Sequence, residues 1–204
     1  SQPGNRQSLA YDVAPGSTIE DSVTLYNFGN IGLPFRVYAT DAFNKPDGQV
    51  DLLAGDLEPT DVGSWVSVAE ERIAVQPGMQ VTIPITITVP ADARPGDHVG
   101  ALLASSPIKG VGEGGVSVDI DRRTGPDIVV RVQGPLDPDI SVEGLSASYS
   151  PSLNPLSGSA EVTYRLHNIG NVRMSGTHYV TMGGPFGLGE ARTEPIEFSS
   201  LVPG

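Results

Sequence analysis

Three histidines, His98, His167 and His178, and no cysteine make up the chain's small stock of titratable or metal-binding chemistry near neutral pH. The histidine spacing matches neither a metal-ligand pattern nor a nucleophile with its base, and without a thiol there is no disulfide framework, thiolate or cysteine-bound zinc. No nucleophile, base and orienting group can be placed together, so the reading is of a protein that is not an enzyme and has no catalytic residues, cofactor or assigned metal. The densest group of hard oxygen donors is Asp41, Asn44, Asp47 and Asp51, around Pro46 and Gly48. Calcium takes its ligands from such loops, but the spacing departs from an EF-hand and the same residues are what an ordinary turn needs.

Two further features offer binding rather than chemistry. Arg122 and Arg123 stand together in a chain poor in basic residues, beside Asp119, Asp121 and Asp127, at an expected hairpin end marked by Gly125-Pro126. Paired guanidinium groups suit a carboxylate on a glycan or partner; a solvated hairpin tip is the plainer reading. Trp65, the single tryptophan, starts an apolar run. Its indole suits either stacking on a sugar or anchoring a sandwich core. These three residues are the candidate contacts for a glycan or protein partner.

The elements that must position them are strands. Val81, Ile83, Ile85, Ile87 and Val89 alternate with Thr82, Pro84, Thr86 and Thr88, the period of a half-buried strand. Pro84 cannot donate to a ladder, so that strand belongs at an edge or turns this position away from its partner. Similar runs cover 17–27, 33–41, 65–68, 73–75, 98–104, 115–121 and 127–133, then 140–149, 159–168, 172–182 and 194–198. Pro15-Gly16, Pro46-Asp47-Gly48, Pro77-Gly78, Pro95-Gly96 and Gly112-Glu113-Gly114-Gly115 punctuate them. Only 51–60 reads as a possible helical turn. Many short, evenly spaced strands indicate antiparallel sandwiches rather than βαβ units.

Leu25-Tyr26-Asn27-Phe28-Gly29-Asn30 returns as Leu166-His167-Asn168-Ile169-Gly170-Asn171, identical at four of six positions. The repeat reads as one strand-to-turn corner used twice, with Gly taking positive φ and Asn bonding nearby backbone. The Tyr26-to-His167 exchange reads as packing. Gly134-Pro135-Leu136-Asp137-Pro138 breaks the alternation, giving an all-β chain of two tandem immunoglobulin-like antiparallel sandwiches, residues 1–134 and 135–204. Aligning Val75-Gln76-Pro77-Gly78 with Leu201-Val202-Pro203-Gly204 predicts that the second module lacks its C-terminal strands. Its open sheet edge would then invite pairing with another chain.

A net charge of −12 removes the electrostatic drive for binding a phosphate backbone, so nucleic acid is excluded as a partner. No run approaches the roughly 20 apolar residues that span a bilayer. The ends, Ser1-Gln2-Pro3-Gly4 and Val202-Pro203-Gly204, look like those of a piece of a longer protein, with a signal peptide or anchor expected outside it.

In order along the chain come Tyr11-Asp12-Val13-Ala14-Pro15-Gly16, Tyr26-Asn27, Val75-Gln76-Pro77-Gly78, Val89-Pro90-Ala91-Asp92, Arg94-Pro95-Gly96-Asp97-His98-Val99-Gly100 and the second hexapeptide continuing into Val172. This series resembles the WxL-interacting proteins of Gram-positive cell surfaces over most of the chain. The resemblance implies a peptidoglycan-binding domain followed by a host-binding domain, with peptidoglycan or another wall glycan and a WxL-type surface protein or host protein as partners. It also implies a cell-envelope location, with membrane attachment only through a C-terminal helix outside this chain. Two other readings stand beside it: an accessory carbohydrate-binding or spacer module of a larger secreted enzyme, and an adhesin or assembly subunit that works by strand addition.

Overall fold

The computed structural model describes residues 8–111, 117–151, 158–183 and 190–204. The expected turn at Gly112-Glu113-Gly114-Gly115 lies outside the described residues. The protein is all-β and immunoglobulin-like, in two compact units: Ser1–Ala42 with Leu52–Pro135, and Phe43–Asp51 with Leu136–Gly204.

The first unit is a two-sheet sandwich. Its strands are β1 (Ser8–Val13), β2 (Thr18–Tyr26), β3 (Leu33–Asn44), β4 (Val50–Leu52), β5 (Val66–Val68), β6 (Arg72–Val75), β7 (Gln80–Thr88), β8 (Gly96–Val111), β9 (Ser117–Thr124) and β10 (Asp127–Val132), with a single-turn helix α1 (Val62–Trp65) before β5; the last two residues of β3 and the first two of β4 count with the second unit. One sheet runs β1-β10-β8-β3-β4, with β6 on β3 and β9 on β8; the other runs β2-β7-β5. Alternation fixes the core, because every second residue of a strand points to the same face. Ile83, Ile85, Ile87 and Val89 from one sheet are buried with Val37, Leu102, Ile128, Val130 and Val132 from the other. Each fully buried side chain of this size contributes about 1.5–3 kcal/mol.

Three details differ from the alternation-based expectation, and the Pro84 alternative is decided. β1 pairs with β10 in parallel, Leu9 against Ile128 and Val13 against Val132, because the chain changes sheet at the Ala14–Ser17 turn. There Gly16 takes φ 76°. β7 is a central strand, so Pro84 avoids a ladder penalty in the second of the two ways allowed. It stands opposite Ser22, and its carbonyl accepts from Ala69 N–H at 3.1 Å on the β5 side, past the end of that ladder. Residues 53–60 are not helical; the helical turn comes later, at α1, and Trp65 ends that helix rather than starting a strand. Gly125-Pro126 is not a hairpin end, since β9 and β10 are successive strands on the same neighbour, β8. A Cβ on Gly125 would collide with the Leu102 carbonyl, and Leu102 N–H bonds Pro126 O at 3.0 Å.

The second unit contains β11 (Ile140–Pro151), β12 (Gly158–Asn168), β13 (Met174–His178), β14 (Thr181–Gly183), β15 (Glu190–Arg192) and β16 (Ile196–Leu201). β11 pairs antiparallel with β12 through a bulge beside Gly144, which has φ 60°. The expected strand 172–182 is divided, because β13 pairs with β16 and β14 with β15. Val180 and Thr193 close the second ladder through a backbone bond of 3.0 Å.

Candidate functional site

The two hexapeptide corners superimpose bond for bond. Asn27 Nδ2 donates to Ile31 O and Val75 O, both at 2.8 Å, and its Oδ1 accepts from Gly29 N–H at 2.9 Å. Asn168 Nδ2 donates to Val172 O at 2.8 Å and Leu201 O at 2.9 Å, and its Oδ1 accepts from Gly170 N–H at 3.1 Å. The backbone carbonyls match too: Asn27 O accepts from Gly78 N–H at 2.9 Å, and Asn168 O from Gly204 N–H at 3.2 Å. Burying an amide requires satisfying its groups, and both asparagines do so by tying a strand end to the last residue of the opposite sheet's strand. The ladders repeat accordingly, with Leu33 facing Val75 in one unit and Met174 facing Leu201 in the other.

This equivalence makes β12 the counterpart of β2, β13 of β3 and β16 of β6. In the first unit β2 carries β7 along its full length, from Thr18 opposite Thr88 to Tyr26 opposite Gln80. Among the described residues, β12 has β11 on one side and no strand on the side where β2 carries β7. Because Asn168 O points to that open side, strand geometry turns the N–H and C=O groups of Leu166, Tyr164, Val162 and Ala160 the same way.

The β11–β12 pair has two chemically distinct faces. Val142, Ala147 and Tyr149 lie opposite Leu166, Val162 and Ala160 on one face; Ser141, Glu143, Ser146 and Ser148 lie opposite His167, Arg165, Thr163 and Glu161 on the other. The apolar face is only partly covered. Tyr164 packs edge-on against His178, which leans on Phe198, while Val142 is 57% and Tyr149 67% exposed. Against the expectation of a packing role, His167 meets Glu143 on the polar face at 2.9 Å. An edge with unpaired backbone groups beside an uncovered apolar face is a template for an added strand.

The first unit holds a second polar cluster, around His98. Its Nδ1 meets Asp61 and its Nε2 meets the Arg94 carbonyl at 2.9 Å, with the Trp65 ring centroid 4.5 Å away. Both ring nitrogens face acceptors, which fits an imidazolium donating twice and leaves no lone pair to act as a base. Burial alone lowers the imidazole pKa; the Asp61 and Arg94 hydrogen bonds and the charges of Asp61 and Asp97 outweigh it and hold the pKa above 6.5. Asp97, itself buried, forms a two-pronged pair with Arg131 at 2.7 and 2.8 Å, and that carboxylate raises the Arg131 pKa. No local sequence signal joins His98 to Asp61, which lies 37 residues earlier in the chain.

The oxygen-rich residues are engaged one by one. Asp41 accepts from the N–H groups of Thr60, Asp61 and Gly63, Asp47 caps Gln49 at 3.0 Å, and Asp51 meets Lys45 at 3.8 Å. Asn44 exchanges bonds with Val202, its Nδ2 donating to the carbonyl at 2.7 Å and its Oδ1 accepting from the N–H at 3.0 Å. Among the described residues no acid or histidine cluster is built to hold a metal. Arg122 and Arg123 are exposed neighbours within β9, so their side chains leave on opposite faces and do not form one fork. Trp65 is half-buried against the core. A stacked pair of exposed aromatics lies instead at the first corner, where Tyr26 and Phe28 stack with centroids 5.6 Å apart and rings within 8° of parallel. Phe28 is 92% exposed. An open cleft of about 440 Å³ beside Arg36 and Tyr38 is polar, with Arg36 committed to the Gly55 carbonyl at 2.9 Å.

No protein-family model and no curated protein matches the sequence. Among solved structures, the chain resembles a protein of the chaperone–tip adhesin complex of CFA/I fimbriae, with 11% identity and a TM-score of 0.46 over 94% of this chain and 80% of that one. It also resembles the class 5 fimbriae chaperone CfaA, with 13% identity and a TM-score of 0.43 over 95% and 83%. A family 123 glycoside hydrolase from Clostridium perfringens shares 10% identity and a TM-score of 0.42 over 64% of this chain and 24% of its own.

Proposed function

We propose that this is a non-enzymatic, extracytoplasmic binding protein whose second unit joins a protein partner by strand addition at the outer edge of β11. One observation carries the reading: the apolar face of the β11–β12 pair is partly uncovered, with Val142 57% and Tyr149 67% exposed, and β11 has β12 as its one strand neighbour among the described residues. Main-chain hydrogen bonds supply affinity in this mode, and alternate side chains supply selectivity. The test uses the full chain with Val142→Pro, which removes an N–H on the side of β11 turned away from β12 while leaving the β11–β12 ladder intact. Capture of a protein from a cell-surface extract should fall at least ten-fold in the variant; undiminished capture rejects the reading.

The stacked Tyr26–Phe28 pair favours a second role, contact between the first unit and a cell-wall glycan, in place of Arg122, Arg123 or Trp65. Parallel aromatic rings exposed at a corner offer an apolar face to a sugar ring. Retention on purified peptidoglycan that survives Tyr26→Ala with Phe28→Ala would assign any wall binding elsewhere.

A further inference from the structure

The two units treat one strand edge differently. Among the described residues β2 ends its sheet with β7 as its one neighbour, whereas β12 carries β11 on the corresponding side. β1, which precedes β2, pairs with β10 in the other sheet and reaches this edge through Tyr11. Asn27 N–H bonds Met79 O and Val89 N–H bonds Ser17 O, so the odd-numbered residues of β2 direct their backbone groups to β7. Thr18, Glu20, Ser22 and Thr24 therefore aim theirs outward. Such a row is a template for another strand.

Six residues before the corner asparagine, β2 has Asp21 where β12 has Val162. Its neighbours in the same inward row, Ile19, Val23 and Leu25, pack against the core, so a carboxylate there breaks the pattern. Asp21 Oδ1 accepts from Ser22 N–H at 2.7 Å, which occupies one of the outward donors, and Oδ2 accepts from the Tyr11 hydroxyl at 2.6 Å. Val162, in the covered strand, faces Ala147 of β11 instead. We infer that Asp21 holds the β2 edge shut against a second copy of this chain. The edge is its own complement: two β2 strands antiparallel about Ser22 set Ile19 opposite Leu25, Glu20 opposite Thr24 and Asp21 opposite Val23, inward residues against inward ones. The central bonds of that pair need Ser22 N–H, which Asp21 already holds. Pairing would also enclose two carboxylates in an apolar row, which is costly.

Sedimentation of the full chain tests this with Asp21→Val and with Asp21→Ala, the latter removing the acceptor without adding bulk should the valine variant fail to fold. Each variant should dimerise at a protein concentration at least ten-fold below that at which wild type associates. Dimerisation should slow hydrogen exchange at the Thr18, Glu20, Ser22 and Thr24 amides at least ten-fold. Adding Ser22→Pro, which removes the central outward N–H and leaves the β7 ladder whole, should restore the wild-type monomer. Tyr11→Phe, which breaks the hydroxyl bond and keeps the carboxylate at the edge, should leave association unchanged. Folded Asp21 variants that associate no more readily than wild type overturn the inference, as does a dimer that protects other amides or survives Ser22→Pro. A wild-type dimer protecting the same amides shows that Asp21 does not close the edge. Association of Tyr11→Phe equal to that of Asp21→Ala assigns the effect to the lost Tyr11 bond and overturns the inference too.

Discussion

Asn168 donates its side-chain amide to Leu201 O at 2.9 Å, as Asn27 does to Val75 O at 2.8 Å. The two asparagines are 0% and 2% exposed, and each fastens the end of one sheet's strand to the end of the other's. Replacing Asn27 or Asn168 with Asp keeps the shape but turns two donations into contacts between a carboxylate and carbonyl oxygens. Leaving buried acceptors without donors costs about 1–3 kcal/mol each. Each variant should therefore lower the unfolding free energy of its own unit, from urea titration, by about 2–4 kcal/mol, with little change in the other. A loss no larger than that of Asn30→Asp, at an exposed corner position, would show that the side-chain bonds are dispensable.

The His98 cluster predicts a pH dependence with a definite sign. The folded-state pKa is raised, so the stabilisation is fully present below about pH 6.5 and is lost as pH rises through the folded value. Wild-type stability minus that of His98→Asn should shrink between pH 6.5 and 8.5 and stay level between pH 5 and 6. Asp61→Asn should move the His98 titration, followed by NMR, back toward 6.5. An unmoved titration would show that Asp61 does not set the charge state.

The strands were legible in the sequence because alternation is local: 80–88, 127–132 and 158–168 lie within two residues of the runs predicted from it. The alignment of Pro77-Gly78 with Pro203-Gly204 was legible for the same reason, since one corner motif fixed both registers. What was not legible depends on residues far apart in the chain. The parallel β1–β10 pair joins Ser8 to Asp127, and His98 finds Asp61 only once α1 packs beside β8. Arg122 and Arg123 are adjacent in the chain, yet a strand separates such neighbours onto two faces.

Arg131 and Asp97 face each other across β10 and β8, and the Asp97 side chain is 2% exposed. Arg131→Ala removes a two-pronged partner from a buried carboxylate, which costs far more than breaking an exposed pair. A loss of about 2–4 kcal/mol is expected. Arg131→Lys should recover only part of it, because an ammonium cannot reproduce the fork. Full recovery by Lys would show that charge alone, without bidentate geometry, holds Asp97.

The last prediction separates two glycines that the sequence makes look alike. Gly29 and Gly170 occupy the same place in the hexapeptide, where positive φ is the expected reason for glycine, yet neither has it; the Pro-Gly turns do, with Gly16 at φ 76°, Gly78 at φ 67° and Gly204 at φ 96°. Space distinguishes the pair instead. A Cβ on Gly170 would collide with the carbonyl of Asp137 and the N–H of Asp139, the segment that receives the N–H groups of Ile169, Gly170 and Asn171. A Cβ on Gly29 would meet only Asn27 Oδ1 at 3.0 Å and Ile31 O at 4.0 Å. Gly170→Ala should therefore destabilise the second unit by about 2–4 kcal/mol through backbone displacement, whereas Gly29→Ala should cost the first unit less than about 1 kcal/mol. Thermal unfolding of both variants checks it. Equal losses would mean that the corner turn, rather than the segment packed against it, demands glycine.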